Sequence, residues 1–402
     1  MIDSQLEASR PPSPNQPLAA SASGSSRRRW ISLDVLRGMT VAFMILVNTA
    51  GDGSASYAQL RHSAWNGCTL TDLVFPLFLF IMGVSTALSF EGRLASGAPK
   101  SAIAVQAAKR AGLIVLLGLM LNALPFFHLT TLRYCGVLQR IGVCYLLASL
   151  LLLGIRVRGV AVATVVAILG YWALMSFVPV PGFGQSGAKL GMMNPEGNLA
   201  SAIDRLIIPR AHLYHQSFYD PEGLLTTVPA LATVLFGALT AAWLRRESGT
   251  AGRKLTVLAL CSALLVGLGL AWSPWFPLNK RLWSSSYVLL CAGVSIALLT
   301  ALAWMIDESK WRRTRWLNRA ITPWLVFGTN ALTAYIFSEV LSIAIGNIPL
   351  RGCGNVQRFT FLLLPAWLGS TALRSLIWSL LFTGVCFLPV LWLYRRRIFL
   401  KL

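Results

Sequence analysis

One histidine lies between two apolar segments near the start of the chain, among other polar side chains. Asn48 ends the first segment, His62 follows in a polar stretch, and Asp72 opens the second segment. An imidazole can remove a proton from an amine near neutral pH, or it can take an acyl group itself. His62 is therefore a candidate catalytic residue.

Further polar residues lie in or next to later apolar segments, on the side of those segments where Asn48, His62 and Asp72 lie. Charges within a membrane are costly, so such residues are candidates for function. We expect them to line one water-accessible pocket, with contributions from Trp65, Asn66, Arg140, Asp220, Glu222, Asn279, Lys280, Arg281, Asn330 and Glu339.

Several of these residues have a simpler explanation. Asp72 could cap the N-terminus of its helix, and Lys280 and Arg281 could anchor the end of a span. Arg140 should pair with Asp72, with Glu339 or with a bound anion, because an unpaired arginine in a membrane is unfavourable. Asp34 and Arg37 are three residues apart and should form a local pair.

The elements that must position these residues are transmembrane helices. The chain is 55% hydrophobic and 12% charged, and its apolar residues form segments long enough to cross a bilayer. We predict an all-α, polytopic helix bundle forming one domain over residues 30–402. The ten predicted spans are 34–50, 70–90, 106–127, 134–154, 157–178, 223–244, 254–273, 282–306, 321–347 and 371–394.

The basic residues predict the orientation of the bundle. Ten spans place both termini on one side, and 24 of the 35 Lys and Arg residues fall on that side. The positive-inside rule therefore predicts cytoplasmic termini. The same clustering at alternate junctions argues against a nucleic-acid-binding surface.

Three remaining segments complete the predicted organisation. Residues 1–29, rich in Pro, Ser and Ala, predict a disordered cytoplasmic tail, and residues 179–222 predict a long periplasmic loop. The short apolar stretch 359–368 is expected to be re-entrant or interfacial.

Two motifs in the long loop are set aside. The GxGxxG match at Gly182–Gly187 has no preceding strand, so it is not a dinucleotide site. His212 and His215 lie beside Asp204 and Asp220 without a third ligand at a firm spacing, and no metal site is predicted.

The chain resembles the heparan-α-glucosaminide N-acetyltransferase family, part of a transmembrane acyltransferase superfamily, from about residue 33 to its end. The resemblance is carried by LDVLRGMTVAFMILVN, RHSAWNGCTLTDLVFPLFLFIMG, GVLQRIGVCY, VPVPGFG, YDPEGLL, PLNKRLWSSSYV and the terminal RRRIFLKL. The loop between the first two spans is a few residues longer here. The tail takes the place of the family's N-terminal region and first span.

The resemblance implies acetyl transfer from cytosolic acetyl-CoA to the amino group of a glucosamine-type sugar across the membrane. It places the family's catalytic histidine and asparagine on His62 and Asn48. His62 would be base or acetyl carrier, and Asn48 would hold the thioester oxygen or orient the imidazole. It also implies a bacterial inner-membrane homodimer whose site opens to the periplasm and needs no metal.

The remaining polar residues are assigned to the two substrates on this basis. Residues predicted to bind acetyl-CoA are Arg37, Lys109, Arg110, Arg140 and Asn330. Residues predicted to bind the sugar are Trp65, Asp72, Asp220, Glu222, Asn279, Lys280 and Glu339. An alternative function is an amino-sugar transporter with the same polar layer as its substrate site. The absence of an obvious inverted repeat favours the enzyme.

Overall fold

The computed structural model describes residues 30–182, 194–309 and 314–399, and this part of the chain is almost entirely helical. The helices are α1 (Ile31–Asn48), α2 (Leu70–Ala95), α3 (Lys100–Ala123), α4 (Val137–Gly154), α5 (Val157–Phe177), α6 (Leu199–Ile207), α7 (Thr227–Leu244), α8 (Ala251–Trp272), α9 (Ser285–Leu302, continued by a π-helical turn, Ala303–Glu308), α10 (Arg315–Thr329), α11 (Ala331–Asn347), α12 (Val356–Leu362) and α13 (Thr371–Arg395). Two short strands, β1 (Pro349–Leu350) and β2 (Gly354–Asn355), form an antiparallel hairpin.

The predicted spans coincide with helices of the bundle. Within the described ranges, nine helices are long and apolar enough to cross a membrane, and α10 with α11 forms a tenth, bent span. The predicted all-α polytopic fold is confirmed. The chain is a multi-pass membrane protein.

The ninth predicted span, 321–347, is bent in its middle. Its two halves meet at 76° around Asn330, whose backbone (φ −126°, ψ 43°) is not helical. Thr329 Oγ1 bonds the carbonyl of Val326 at 3.0 Å, so a short polar side chain competes with the helical hydrogen bonds at the break. Hydropathy is continuous across this position and gives no sign of the bend.

The bundle has central and peripheral helices. Within their apolar 18-residue stretches, helices α1, α2, α4, α7 and α9 bury half or more of the residues, whereas α3, α5, α8 and α13 bury a third or fewer. The exposed faces of the peripheral helices are apolar, as at Leu116, Val162, Leu264 and Leu388. Such faces suit contact with lipid.

Helix α2, whose first turn contains Asp72, packs against α7 in close backbone contact. A Cβ atom on Gly83 of α2 would lie 1.9 Å from the carbonyl oxygen of Val234, and one on Gly237 of α7 would lie 2.1 Å from that of Phe80. Small residues of this kind allow membrane helices to approach closely. The position of α2 relative to α7 therefore depends on both glycines.

The loops at one end of the bundle contact each other directly. Gly67 N donates to Leu278 O at 2.8 Å, Tyr134 N to His212 O at 3.2 Å, and Gln357 Nε2 to Ala50 O at 2.9 Å. We call this the His62 end; α1 ends there and α2 begins there. The predicted alternation of spans accounts for this convergence.

Two of these loops contain regular structure. The predicted loop 179–222 includes α6 in its described part. In residues 348–370 the β1–β2 hairpin leads into α12, which is far too short to cross a bilayer. Phe361 of α12 is buried in a cluster with Trp378 of α13, so this segment covers the His62 end of α1 and α13. The predicted tail 1–29 and most of the GxGxxG motif lie outside the described residues.

Candidate active site

Asp72 is fixed by the capping of helix α2. It is the third residue of the helix, and its Oδ2 accepts hydrogen bonds from Thr69 N at 3.1 Å, Thr69 Oγ1 at 3.0 Å and Ser63 N at 3.1 Å. Its side chain is completely buried. The expected capping role is thus correct, and the positive end of the helix suits the negative charge of the carboxylate.

The same carboxylate orients His62. Asp72 Oδ1 lies 2.8 Å from His62 Nδ1, the distance of a strong hydrogen bond. When Nδ1 carries the proton and donates it to Asp72, the lone pair of Nε2 is left as the basic site. The imidazole remains 47% exposed, so Nε2 is accessible. Asp72 therefore contacts His62 through Oδ1 and the loop before α2 through Oδ2, and its role in sugar binding stays a prediction.

A pocket of about 220 Å³ surrounds this pair. Six of the predicted residues line it together: Asn48, His62, Asp72, Glu222, Lys280 and Arg281. Arg133 and Tyr214 also line it and were not predicted from the sequence. Apolar walls come from Met44, Val74, Phe75 and Val137.

The ammonium group of Lys280 contacts the imidazole of His62. Its Nζ is 3.1 Å from His62 Nδ1, 3.3 Å from His62 Nε2 and 3.8 Å from Asp72 Oδ1. Burial lowers the pKa of Lys280, against the opposing attraction of the Asp72 carboxylate. The observed contacts of Lys280 are thus with His62 and Asp72, and its role in sugar binding stays a prediction.

Arg133 and two carboxylates form the opposite wall. Arg133 donates to Asp220 through Nε at 2.9 Å and Nη2 at 2.5 Å, and Nη2 also lies 2.5 Å from Glu222 Oε2. Burial lowers the pKa of Arg133, but the hydrogen bonds with Asp220 and the charge of Glu222 outweigh this effect and raise it above its ordinary value. Asp220 holds Arg133 and does not line the pocket. Glu222 does line it.

Three further predicted residues, Trp65, Asn66 and Asn279, do not line the pocket but lie near residues that do. Trp65 packs edge-on against Tyr219 at 5.3 Å, and the guanidinium of Arg281 lies over both rings. Asn279 is fully buried and bonds Asn66 Oδ1 at 3.1 Å, which joins two loops. Trp65 and Asn279 thus do not line the pocket.

The Asn48 side chain contacts a carboxylate that lies outside the pocket. Its amide is within hydrogen-bonding reach of the Glu339 carboxylate on α11, a residue that does not itself line the pocket. A carboxylate acceptor would leave the Asn48 amide free to donate one more hydrogen bond.

None of the residues predicted to bind acetyl-CoA lines this pocket. Arg37 pairs with Asp34 at 3.0 Å, as expected, and bonds Ser85 Oγ at 2.8 Å. Lys109 is exposed on α3, and Arg110 lies 5.5 Å from the centre of the Tyr145 ring. Asn330 lies at the helix break and donates to Ile398 O at 3.1 Å.

Arg140 is buried beside α7 rather than in the pocket. It donates to Thr226 Oγ1 and to Gly223 O, and lies 5.1 Å from the Trp283 ring. The predicted pairing with Asp72 or Glu339 is wrong, because these two carboxylates are engaged by His62 and Asn48.

The histidines set aside in the long loop have local partners. His212 Nδ1 lies 2.7 Å from Leu132 O, and its ring stacks on Tyr134 at 4.1 Å. Among the residues that the structure describes, no three His, Cys, Asp or Glu side chains form a group suited to a metal ion.

Arg133 and Tyr214 line the pocket but were not among the predicted residues. Arg133 is one of few basic residues at this end of the spans, which was a usable signal. Its partners lie 87 and 89 residues away, so only the fold reveals them.

The arrangement combines an oriented imidazole base with an amide donor in one pocket. An imidazole paired with a carboxylate can accept a proton at Nε2, and a nearby amide can stabilise a developing oxyanion. Acyl transfer to a nucleophile that must lose a proton requires both functions.

Two known proteins and one family model are similar in sequence to this chain. A family model described as heparan-alpha-glucosaminide N-acetyltransferase, catalytic, matches residues 29–269. The protein of that name from Mus musculus is 30% identical over 395 residues, covering 85% of this chain and 58% of the mouse protein. The one from Homo sapiens is 30% identical over 361 residues, covering 78% of this chain and 53% of the human protein. The chain thus spans little more than half the length of these relatives, and it belongs to the heparan-α-glucosaminide N-acetyltransferase family.

Proposed function

We propose that the chain is a membrane-embedded acetyltransferase that moves the acetyl group of acetyl-CoA to the amino group of a glucosamine-type sugar. One observation carries the proposal: the His62–Asp72 pair faces the same pocket as Asn48 and leaves Nε2 accessible. The names of the relatives support acetyl transfer to glucosamine.

His62 supplies the proton transfer in this reaction. Nε2 accepts a proton from the sugar's amino group as the amine nitrogen bonds to the acetyl carbonyl carbon. The C–S bond breaks, and the departing thiolate takes the proton that His62 has accepted. Asp72 keeps Nδ1 protonated throughout, so Nε2 remains the atom that gains and loses the proton.

Asn48 stabilises the carbonyl oxygen in the same step. Negative charge develops on that oxygen as the amine attacks, and an amide donor fixed in advance lowers the barrier. Glu339, as the acceptor for one amide hydrogen, would hold Asn48 in place.

The size of the pocket limits what it can hold. A volume of about 220 Å³ is below the range that encloses a drug-sized ligand, about 300–1,000 Å³. The pocket suits the reacting acetyl and amino groups, and we propose that the nucleotide part of acetyl-CoA lies nearer the opposite end. Lys109 and Arg110 support this, because Lys109 is exposed and Arg110 Nε has no hydrogen-bond partner among the described residues.

We also propose that the His62 end faces the periplasm and the opposite end the cytoplasm of a bacterial inner membrane. The clustering of 24 of the 35 Lys and Arg residues on the side of the termini supports this orientation. The donor would then reach the site from the cytoplasm, and the sugar from outside.

The experiment is a turnover assay on purified protein. Acetyl-CoA labelled in the acetyl group is incubated with glucosamine, glucosamine-containing oligosaccharides, N-acetylglucosamine and glucose. We expect label on nitrogen for the free-amine sugars and none on the other two. Equal transfer to glucose, or none to any amine, would contradict the proposal. Movement of N-acetylglucosamine into proteoliposomes without consumption of acetyl-CoA would support a transporter instead.

A further inference from the structure

Lys280 is held in a loop that is attached directly to the loop carrying His62. Leu278 O accepts from Gly67 N at 2.8 Å, and Asn279 Nδ2 donates to Asn66 Oδ1 at 3.1 Å. Asn279 also fixes its own turn, because its Oδ1 accepts from Leu282 N at 2.9 Å. Lys280 therefore follows a rigid junction, and its side chain is only 17% exposed.

The ammonium group lies over the face of the imidazole. Its Nζ is nearly equidistant from the two ring nitrogens, at 3.1 and 3.3 Å. In the plane of the ring, such a position would collide with a ring carbon. Nζ must therefore lie above the ring, where it does not occupy the in-plane lone pair of Nε2. A cation over an aromatic face is a stabilising arrangement while the ring is neutral.

We propose that Lys280 is a positioning residue whose charge keeps the imidazole of His62 neutral and ready to accept a proton. Protonation of His62 would place a second positive charge beside the first, at a distance of little more than 3 Å. The Asp72 carboxylate, 2.8 Å from Nδ1, has the opposite effect and favours the charged ring. Asp72 thus selects the tautomer, and Lys280 opposes the ionisation that Asp72 alone would promote.

The other two cations that line the pocket have partners of different kinds. Arg133 is paired with the Glu222 carboxylate at 2.5 Å, whereas Arg281 donates to the neutral hydroxyl of Tyr219 and keeps its positive charge. On the loop of His62 itself, Arg61 donates to Ser54 O at 3.3 Å. Lys280 is the cation in contact with the imidazole. The charged and titratable residues that line the pocket besides His62, Asp72 and Lys280 are Arg133, Tyr214, Glu222 and Arg281.

This inference deepens the proposed function and gives Lys280 two effects on its chemistry. A neutral His62 can accept the proton from the sugar's amino group over a wider pH range. Once Nε2 is protonated, the neighbouring ammonium makes the imidazolium a stronger acid, so it returns the proton to the departing thiolate more readily. No charge or proton is gained or lost over the cycle.

The direct test is the titration of His62 by NMR in the intact protein in detergent. The chain has four histidines, so labelling all of them and comparing with His62→Gln identifies the His62 signal. In Lys280→Met, which keeps the length of the side chain without its charge, the pKa of His62 should rise by about one unit or more. Lys280→Arg, the matched control, should stay near the wild type. An unchanged His62 pKa in folded Lys280→Met would overturn the proposal.

A second measurement separates this role from sugar binding. Because activity requires neutral His62, the fall of kcat/KM towards low pH should begin at higher pH in Lys280→Met, while the KM for the sugar changes little at high pH. A large rise in that KM with an unmoved pH profile would overturn the proposal and assign Lys280 to the sugar. If Lys280→Met does not fold, Lys280→Gln serves for both measurements. Absence of acetyl transfer in every form would contradict the proposed function, whereas the NMR result would still decide the role of Lys280.

Discussion

The substitution Asp72→Asn should separate the orientation of His62 from the capping of α2. Oδ2 of Asp72 accepts three hydrogen bonds, from Ser63 N, Thr69 N and Thr69 Oγ1. The oxygen of an asparagine should take that position, because the amide NH₂ cannot accept. The NH₂ group would then face His62 Nδ1, which would have to become the acceptor. The proton would move to Nε2, and the base would be lost.

The expected magnitudes follow from the two roles. A forced change of tautomer at a histidine–carboxylate pair lowers turnover by about 10³–10⁴-fold. The asparagine side chain keeps the capping geometry at the start of α2 and loses only the negative charge. The free energy of unfolding should therefore fall by about 1–2 kcal/mol. Single-turnover acetyl transfer and thermal unfolding, measured on the same preparation, test both expectations.

Thr69→Val is the matched control for this experiment. It removes the hydroxyl that lies 2.8 Å from Arg61 O and 3.0 Å from Asp72 Oδ2, and it changes neither partner of the His62–Asp72 contact. Its stability should fall to a similar extent, while turnover stays within a few-fold of the wild type. If Asp72→Asn itself kept turnover within about tenfold of the wild type, Asp72 would be a helix cap only and the reasoning would be refuted.

Three further predictions concern the frame of the site and its orientation. Arg133→Met should leave Asp220 and Glu222 without their cation and lower the free energy of unfolding by about 3–5 kcal/mol. The loss should be smaller at pH 5 than at pH 8, because the unpaired carboxylates can protonate at the lower pH. Equal losses at both pH values would argue against the pairing. Burial raises the pKa of Asp204 from 3.8 to about 6, so the protein should lose stability as the pH rises through this range. Asp204→Asn should therefore raise the melting temperature at pH 8 and not at pH 4, and a lower melting temperature at pH 8 would contradict this. Gln216 and Ser248 are exposed positions at opposite ends of the bundle. In protein without the native cysteines, an impermeant thiol reagent added to intact cells should label Gln216→Cys and not Ser248→Cys. The reverse pattern of labelling would invert the proposed orientation.

The sequence predicted the spans and much of the pocket for physical reasons that are local to the chain. Apolar segments must match the thickness of the bilayer, and polar residues at the ends of consecutive spans must meet at alternate sides. These rules alone bring Asn48, His62, Asp72, Glu222 and Lys280 to one end of the bundle. The contact of Lys280 with the His62 ring was not predicted, because it depends on a junction between distant loops.

Other features depend on packing that a linear pattern does not contain. Arg140 was expected to pair with a carboxylate or a bound anion, yet the rotation of α4 turns it towards Thr226 and the Trp283 ring. The break at Asn330 lies within an uninterrupted apolar stretch, so hydropathy does not reveal the bend. The pairing of Arg133 with Asp220 and Glu222 joins residues 87 and 89 positions apart, so it depends on the fold.

The most direct test of the central claim is single-turnover acetyl transfer by His62→Ala. The matched control is His128→Ala, which removes an exposed histidine that does not line the pocket. With both proteins of wild-type thermal stability, His62→Ala should transfer acetyl to glucosamine about 10²–10⁴-fold more slowly, and His128→Ala at the wild-type rate. A stable His62→Ala protein with near-wild-type transfer would contradict the account.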